Sequence, residues 1–154
     1  SIDYIFSEHM FEHLKLTEAV KMLKECRRVL KKNGVLRITL PCFEFLQDLY
    51  QHPEEYTDYI HKATDSSIPE VNEILPGVYP PILVINNFYR DWGHQVIYDY
   101  KTLEMLLHKY GFTNIKRCQL YESEHRFLTN MEKHDQATYK NLSKIESTVI
   151  EASC

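Results

Sequence analysis

The sequence has 154 residues, 44% of them apolar, with 18 Lys plus Arg against 22 Asp plus Glu for a net charge of −4. That length and composition suit one globular domain with a sizeable core and exclude an intrinsically disordered chain. The acidic balance excludes the footprint of a general nucleic-acid binder, and no apolar run approaches the ~18–20 residues of a membrane span.

Ile2 to Phe6 read as a short strand that begins almost at the first residue, as expected of a boundary cut through a fold. From Leu16 to Lys32 the pattern is helical. Thr17 is the expected N-cap with Glu18 in the first turn, and Val20, Leu23, Arg27 and Leu30 share a face beside Ala19 and Cys26. Lys31 and Lys32 suit the negative end of the helix dipole, and Asn33-Gly34 supplies a left-handed stop. A near-continuous apolar run from Val35 to Leu40, bounded by Pro41, is the next strand. Strand, helix and strand so closely joined predict a βαβ unit and therefore parallel pairing.

Residues 42–95 read as a less regular, aromatic-rich insertion or lid. Short helices are predicted at Phe43–Tyr50 and Glu54–Ala63, followed by a proline-containing loop from Ser66 to Pro81. Regular structure returns at Asp99, an N-cap for a helix whose Leu103, Leu106, Leu107 and Tyr110 recur at helical spacing. Gly111-Phe112 is the expected Schellman stop. A strand at Asn114–Tyr121, a helix at Phe127–Leu142 and a last strand at Ser147–Ala152 complete the pattern.

Gly34, Gly77, Gly93 and Gly111 stand too far apart to form a GxGxxG turn or a P-loop, so no glycine-rich phosphate cradle is encoded here. Cys26, Cys42, Cys118 and Cys154 show no CxxC spacing, which points away from a disulfide framework or zinc knuckle. With no secretory leader read at the N-terminus, the expected compartment is the reducing cytoplasm.

One short string carries metal-site spacing: His9-Met10-Phe11-Glu12-His13, an HxxEH pattern. On a helix His9 and His13 would share a face, with Glu12 beside them as general base, as in some zinc hydrolases. The string follows directly on a strand and no third ligand is marked, so no metal site is expected and the hydrolase is a weaker alternative.

The context on both sides supports another reading. Asp3-x-Ile5-x-Ser7-Glu8-His9-x-x-Glu12-His13-Leu14, then Arg28-Val29-Leu30-Lys31-Lys32-Asn33-Gly34-Val35-Leu36-Arg37-Ile38 up to Pro41, resembles the second half of a class I S-adenosylmethionine-dependent methyltransferase of the type 11 branch. The likeness continues at Gly93-His94-x-x-x-Tyr98-Asp99-Tyr100 through Gly111-Phe112 and closes with Val149-Ile150-Glu151-Ala152. Lys32-Asn33-Gly34 stands where that family usually has Pro-Gly-Gly.

The resemblance implies an α/β, partial Rossmann-like fold: a mainly parallel sheet with helices on both faces, a helical or loop insertion at 42–95, and a final strand antiparallel to the rest. All of 1–154 then forms a single partial domain, whose glycine-rich cofactor loop would lie upstream of Ser1. S-Adenosylmethionine is the implied cofactor, bound weakly or not at all by this chain alone. Ser7, Glu8 and His9 would lie along its methionine part. His94 and Tyr98 would line the pocket of a small-molecule acceptor, with His94 placed as a general base, and His13 matches a recurrent family position. The alternative is a non-catalytic, oligomerising interaction module built on the same half-fold. Either way, the edge of the N-terminal strand lacks the usual defences, and a homodimer through it is expected.

Overall fold

The computed structural model describes residues 1–134 and 143–154. Its framework is a four-stranded sheet among the described residues, made of β1 (Ile2–Glu8), β2 (Leu30–Pro41), β3 (Thr113–Cys118) and β4 (Ser147–Ser153) in the order β1-β2-β4-β3. β1 and β2 pair in parallel, while β4 runs antiparallel to both β2 and β3. Three strands therefore point one way and β4 the other, as expected.

The βαβ unit forms because α1 (Leu16–Val29) carries Ala19, Leu23 and Cys26 on one buried stripe. These side chains and Leu30 pack on Leu36, Ile38 and Leu40 of β2. Three details differ from expectation. The N-cap is Lys15, whose amide donates to the Glu18 carboxylate at 2.9 Å, so an acidic side chain caps the helix in place of Thr17. The helix ends at Val29, and Lys31 and Lys32 lie on β2. Of the Asn33-Gly34 pair, only Asn33 is left-handed, at φ 65°. Gly34 is required for a different reason. A Cβ there would meet Leu30 Cδ2 at 2.9 Å, the Lys31 carbonyl at 3.0 Å and the Asp3 carbonyl at 3.1 Å.

α6 (Tyr100–Lys109) lies on the same side of the sheet as α1, with Leu103 and Leu107 in the shared core. Asp99 caps it by accepting from the Thr102 amide at 2.9 Å. The Schellman stop forms as predicted, with Gly111 at φ 87° and the Phe112 amide donating to the Leu107 carbonyl at 3.0 Å. The opposite face of the sheet is covered by residues 119–133, which are turns and irregular chain. The helix expected over Phe127–Leu142 is thus absent from 127–133, and its remainder lies mostly outside the described residues. β3 ends at Cys118, short of the expected Tyr121, which is left-handed at φ 68°.

Residues 42–95 are more helical than expected. They form α2 (Phe43–Gln51), a three-ten turn at Pro53–Tyr56, α3 (Thr57–Ser67), α4 (Glu70–Ile74) and α5 (Pro81–Arg90). The loop expected from Ser66 to Pro81 contains α4, and α5 went unpredicted. A second core, with Phe45, Leu49, Ile60 and Phe88 among its members, holds these helices together. No helix among the described residues is long and apolar enough to cross a membrane.

Candidate functional site

A cavity of about 730 Å³ opens where β1 and β2 end, between the sheet and the 42–95 helices. Ligands in open α/β sheets bind at the carboxyl ends of the strands, so this is the physically expected place for a site. Glu8 reaches it from the end of β1, His9, Glu12 and His13 from the turn that follows, and Pro41 from the end of β2. Tyr59, Ser66 and Ser67 come from α3, Phe88 from α5, and Trp92 and His94 from the segment that follows α5. Lys133, His134 and Glu146 close the remaining side.

The turn is built from unusual backbone. His9 lies at φ 43°, while its amide continues the sheet by donating to the Thr39 carbonyl at 2.9 Å. Phe11–His13 then form a single three-ten turn. Phe11 is drawn into the main core, where its ring centroid sits 5.3 Å from that of Tyr98. The neighbouring Glu12 is carried inside with it. His9 and His13 consequently do not share a helical face, which is what the HxxEH reading required. His9 Nε2 faces Ser147 Oγ at 3.1 Å and its ring stacks on His134 at 3.9 Å, whereas His13 packs edge-on against His94 at 4.9 Å.

A second backbone reversal brings His94 to the same place. Trp92 and Gly93 are both left-handed, at φ 56° and 81°. The chain beyond them is stitched to the first turn, as the amides of Gln95 and Val96 both donate to the Glu12 carbonyl, at 2.8 and 3.1 Å. His94 Nδ1 lies 2.7 Å from the Phe88 carbonyl. A carbonyl only accepts, so Nδ1 carries the proton and Nε2 keeps its lone pair. Burial pulls the His94 imidazole below its ordinary 6.5, against the opposing effect of the Phe88 hydrogen bond and with a smaller contribution from His13. At neutral pH the ring is uncharged.

Glu12 faces the cavity with a strongly perturbed carboxyl. Burial raises its carboxyl from 4.5 to about 7, and its own backbone amide offsets only part of this. Its Oε1 lies 3.5 Å from His9 Nδ1 and 3.8 Å from His13 Nε2.

Four of the six site residues expected from the sequence (Glu8, His9, His13 and His94) line the cavity. Glu8 is already engaged, as its carboxylate accepts from the Lys133 and His134 amides at 2.9 Å each. The structure places Ser7 and Tyr98 differently. Ser7 is buried in the sheet, and Tyr98 is buried in the core behind Phe11. Tyr59, Lys133, His134 and Glu146 were not anticipated. Tyr59 donates to Glu146 Oε2 at 2.7 Å across residues 87 apart in sequence, a pairing with no local signal.

Comparisons with known proteins agree with this architecture. A family model described as a methyltransferase domain matches residues 1–38, which is β1, α1 and most of β2. The crystal structure of an S-adenosylmethionine-dependent methyltransferase from Archaeoglobus fulgidus superposes with a TM-score of 0.51 at 17% identity, covering 99% of this chain and 59% of that one. A small RNA methyltransferase superposes with a TM-score of 0.50 at 11% identity, covering 99% of this chain and 14% of that one. No curated protein matches the chain in sequence. The chain thus spans 59% of the length of the archaeal enzyme. The fold of this chain is similar to that of S-adenosylmethionine-dependent methyltransferases.

Proposed function

We propose that the chain carries the acceptor side of an S-adenosylmethionine-dependent methyltransferase, with a small-molecule acceptor held in the 730 Å³ cavity. One observation supports this most directly. The βαβ unit matched by the methyltransferase family model ends, at Glu8 and Pro41, in the wall of that cavity. In this reading the methionine part of the cofactor runs past Glu8 and His9. The acceptor lies against Trp92, Phe88 and His94, its reacting atom aimed at the sulfonium methyl. Rate enhancement then comes chiefly from holding donor and acceptor in line.

The four glycines build no phosphate cradle of their own, so cofactor affinity in this chain is expected to be weak. A method sensitive to weak binding is therefore the right test. Two-dimensional amide NMR of the chain titrated with S-adenosylhomocysteine should shift the Glu8 and His9 resonances. Unchanged spectra at millimolar ligand, or shifts confined to residues away from the cavity, would sink the reading.

A further inference from the structure

Glu12 has the surroundings of a metal ligand. Its side chain is wholly buried, and neither carboxylate oxygen has a hydrogen-bond partner among the described residues. A carboxylate taken out of water normally finds a cation or several donors. Imidazoles lie close by, with His9 Nδ1 at 3.5 Å and His13 Nε2 at 3.8 Å from Oε1. One ligand atom each from Glu12, His13 and His94 falls within 4.8 Å of the other two. The His13 ring presents Nε2 to Glu12, and its Nδ1 edge faces Gly93, where a Cβ would come to 3.6 Å. His94 gives its Nδ1 proton to the Phe88 carbonyl, which leaves Nε2 as the ligating nitrogen. A histidine ligand is commonly oriented in this way, by a backbone carbonyl on its other nitrogen.

We propose that Glu12, His13 and His94 bind one divalent transition-metal ion of the zinc class, with an open coordination position toward the cavity. Two imidazoles and one carboxylate are a donor set of catalytic zinc and related sites, which keep a position free for water or substrate. Ligand bonds of ~2.0–2.2 Å need donor atoms roughly 3.5 Å apart. The three side chains must therefore draw together by about an ångström from the spacing seen. His13 and His94 are only partly buried and have room to do so. His9 is not included, because it groups instead with His134 and Glu146. The site stands on this geometry and goes beyond the methyltransferase reading. If both hold, the ion would take an acceptor oxygen and lower its pKa, and His94 would serve as a ligand in place of the general base that the sequence suggests.

The test is a titration of the chelator-treated chain with Co²⁺, a spectroscopic substitute for zinc, followed by displacement with Zn²⁺. One Co²⁺ per chain should bind with visible absorption bands, which Zn²⁺ should bleach. His13→Ala, His94→Ala and the near-isosteric Glu12→Gln should each weaken binding at least tenfold. His108→Ala, on the exposed side of α6, should leave it unchanged. Far-UV circular dichroism checks each variant for folding, and Glu12→Gln preserves the shape of the buried side chain should a histidine variant unfold. Absence of stoichiometric binding, or bands unaltered in the folded variants, overturns the site. Neither result bears on the S-adenosylhomocysteine titration, so the two readings fail separately.

Discussion

Arg37 and Glu132, 95 residues apart, meet inside the protein with Nε 2.6 Å from Oε1. Arg37 on β2 is wholly buried, and its Nη1 also reaches Glu151 Oε1 at 2.7 Å and the Glu122 carbonyl at 2.9 Å. This network fastens the irregular 119–133 segment to the sheet face that no helix covers among the described residues. Immediately after Glu132, the amides of Lys133 and His134 dock on Glu8 at the cavity wall. The ion pair thus holds one side of the site in place.

Breaking one partner of such a pair strands the other in the interior, at a cost of about 3–5 kcal/mol. Arg37→Met should therefore destabilise the fold by that order, and more than Glu132→Gln, because it leaves two buried carboxylates facing each other. Urea denaturation measures both. Hydrogen exchange should also show faster exchange at the Lys133 and His134 amides in Glu132→Gln. Equal stability of Arg37→Met and the parent would show that the network contributes nothing.

Glu12 makes stability depend on pH. Its carboxyl is raised from 4.5 to about 7 in the folded chain, so between those values the unfolded state sheds a proton that the folded state keeps. Stability from this group is complete below about pH 4.5 and declines as pH rises to about 7. At about 1.4 kcal/mol per unit the loss amounts to roughly 3 kcal/mol. In chelator-treated protein, Glu12→Gln should remove this decline, so that the variant gains on the parent between pH 5 and pH 7.5. Parallel stability curves for the two proteins would contradict the assignment.

Much of the scaffold was legible because it rests on local patterns. The apolar run of β2, the stripe of α1, the Asp99 cap and the Gly111 stop each announce themselves within a few residues. The site was legible in part for the same reason: His9, Glu12 and His13 adjoin a predicted strand end. What the sequence concealed is set by distant partners. A helical HxxEH and a three-ten turn have the same letters, and only the pull of Phe11 toward Tyr98 selects the latter. Similarly, nothing local to Arg37 in its apolar strand announces Glu132 and Glu151 as its partners.

The crossing at Gly34 gives a sharper test of a misread signal. A methyl group there would press on two backbone carbonyls, of Lys31 and Asp3, neither of which can swing aside. Overpacking of this kind costs about 1–3 kcal/mol. Gly34→Ala should lower the denaturation midpoint accordingly. Asn33→Gly relieves a left-handed residue and should be neutral or mildly stabilising. If the two substitutions had the opposite ranking, the left-handed turn and not the close approach would be the reason for glycine.

Trp92 offers a direct view of the cavity because it is the one tryptophan of the sequence. Its ring is about half exposed and lies edge-on to Phe88 at 5.5 Å and to His94 at 5.6 Å. A protonated imidazole at that distance quenches indole emission, and a neutral one does so far less. Burial lowers the His94 pKa, so its ring charges only below the ordinary 6.5. Emission should therefore hold steady from pH 8 down to about 6.5 and fall below it. His94→Gln should abolish the fall while far-UV circular dichroism stays constant over the same range. A quenching midpoint above 6.5, or one that survives the substitution, would mean that His94 is not the group facing Trp92 in solution. A ligand seated between the two rings should change the emission as well, and in His94→Gln that change should persist while the pH dependence is lost.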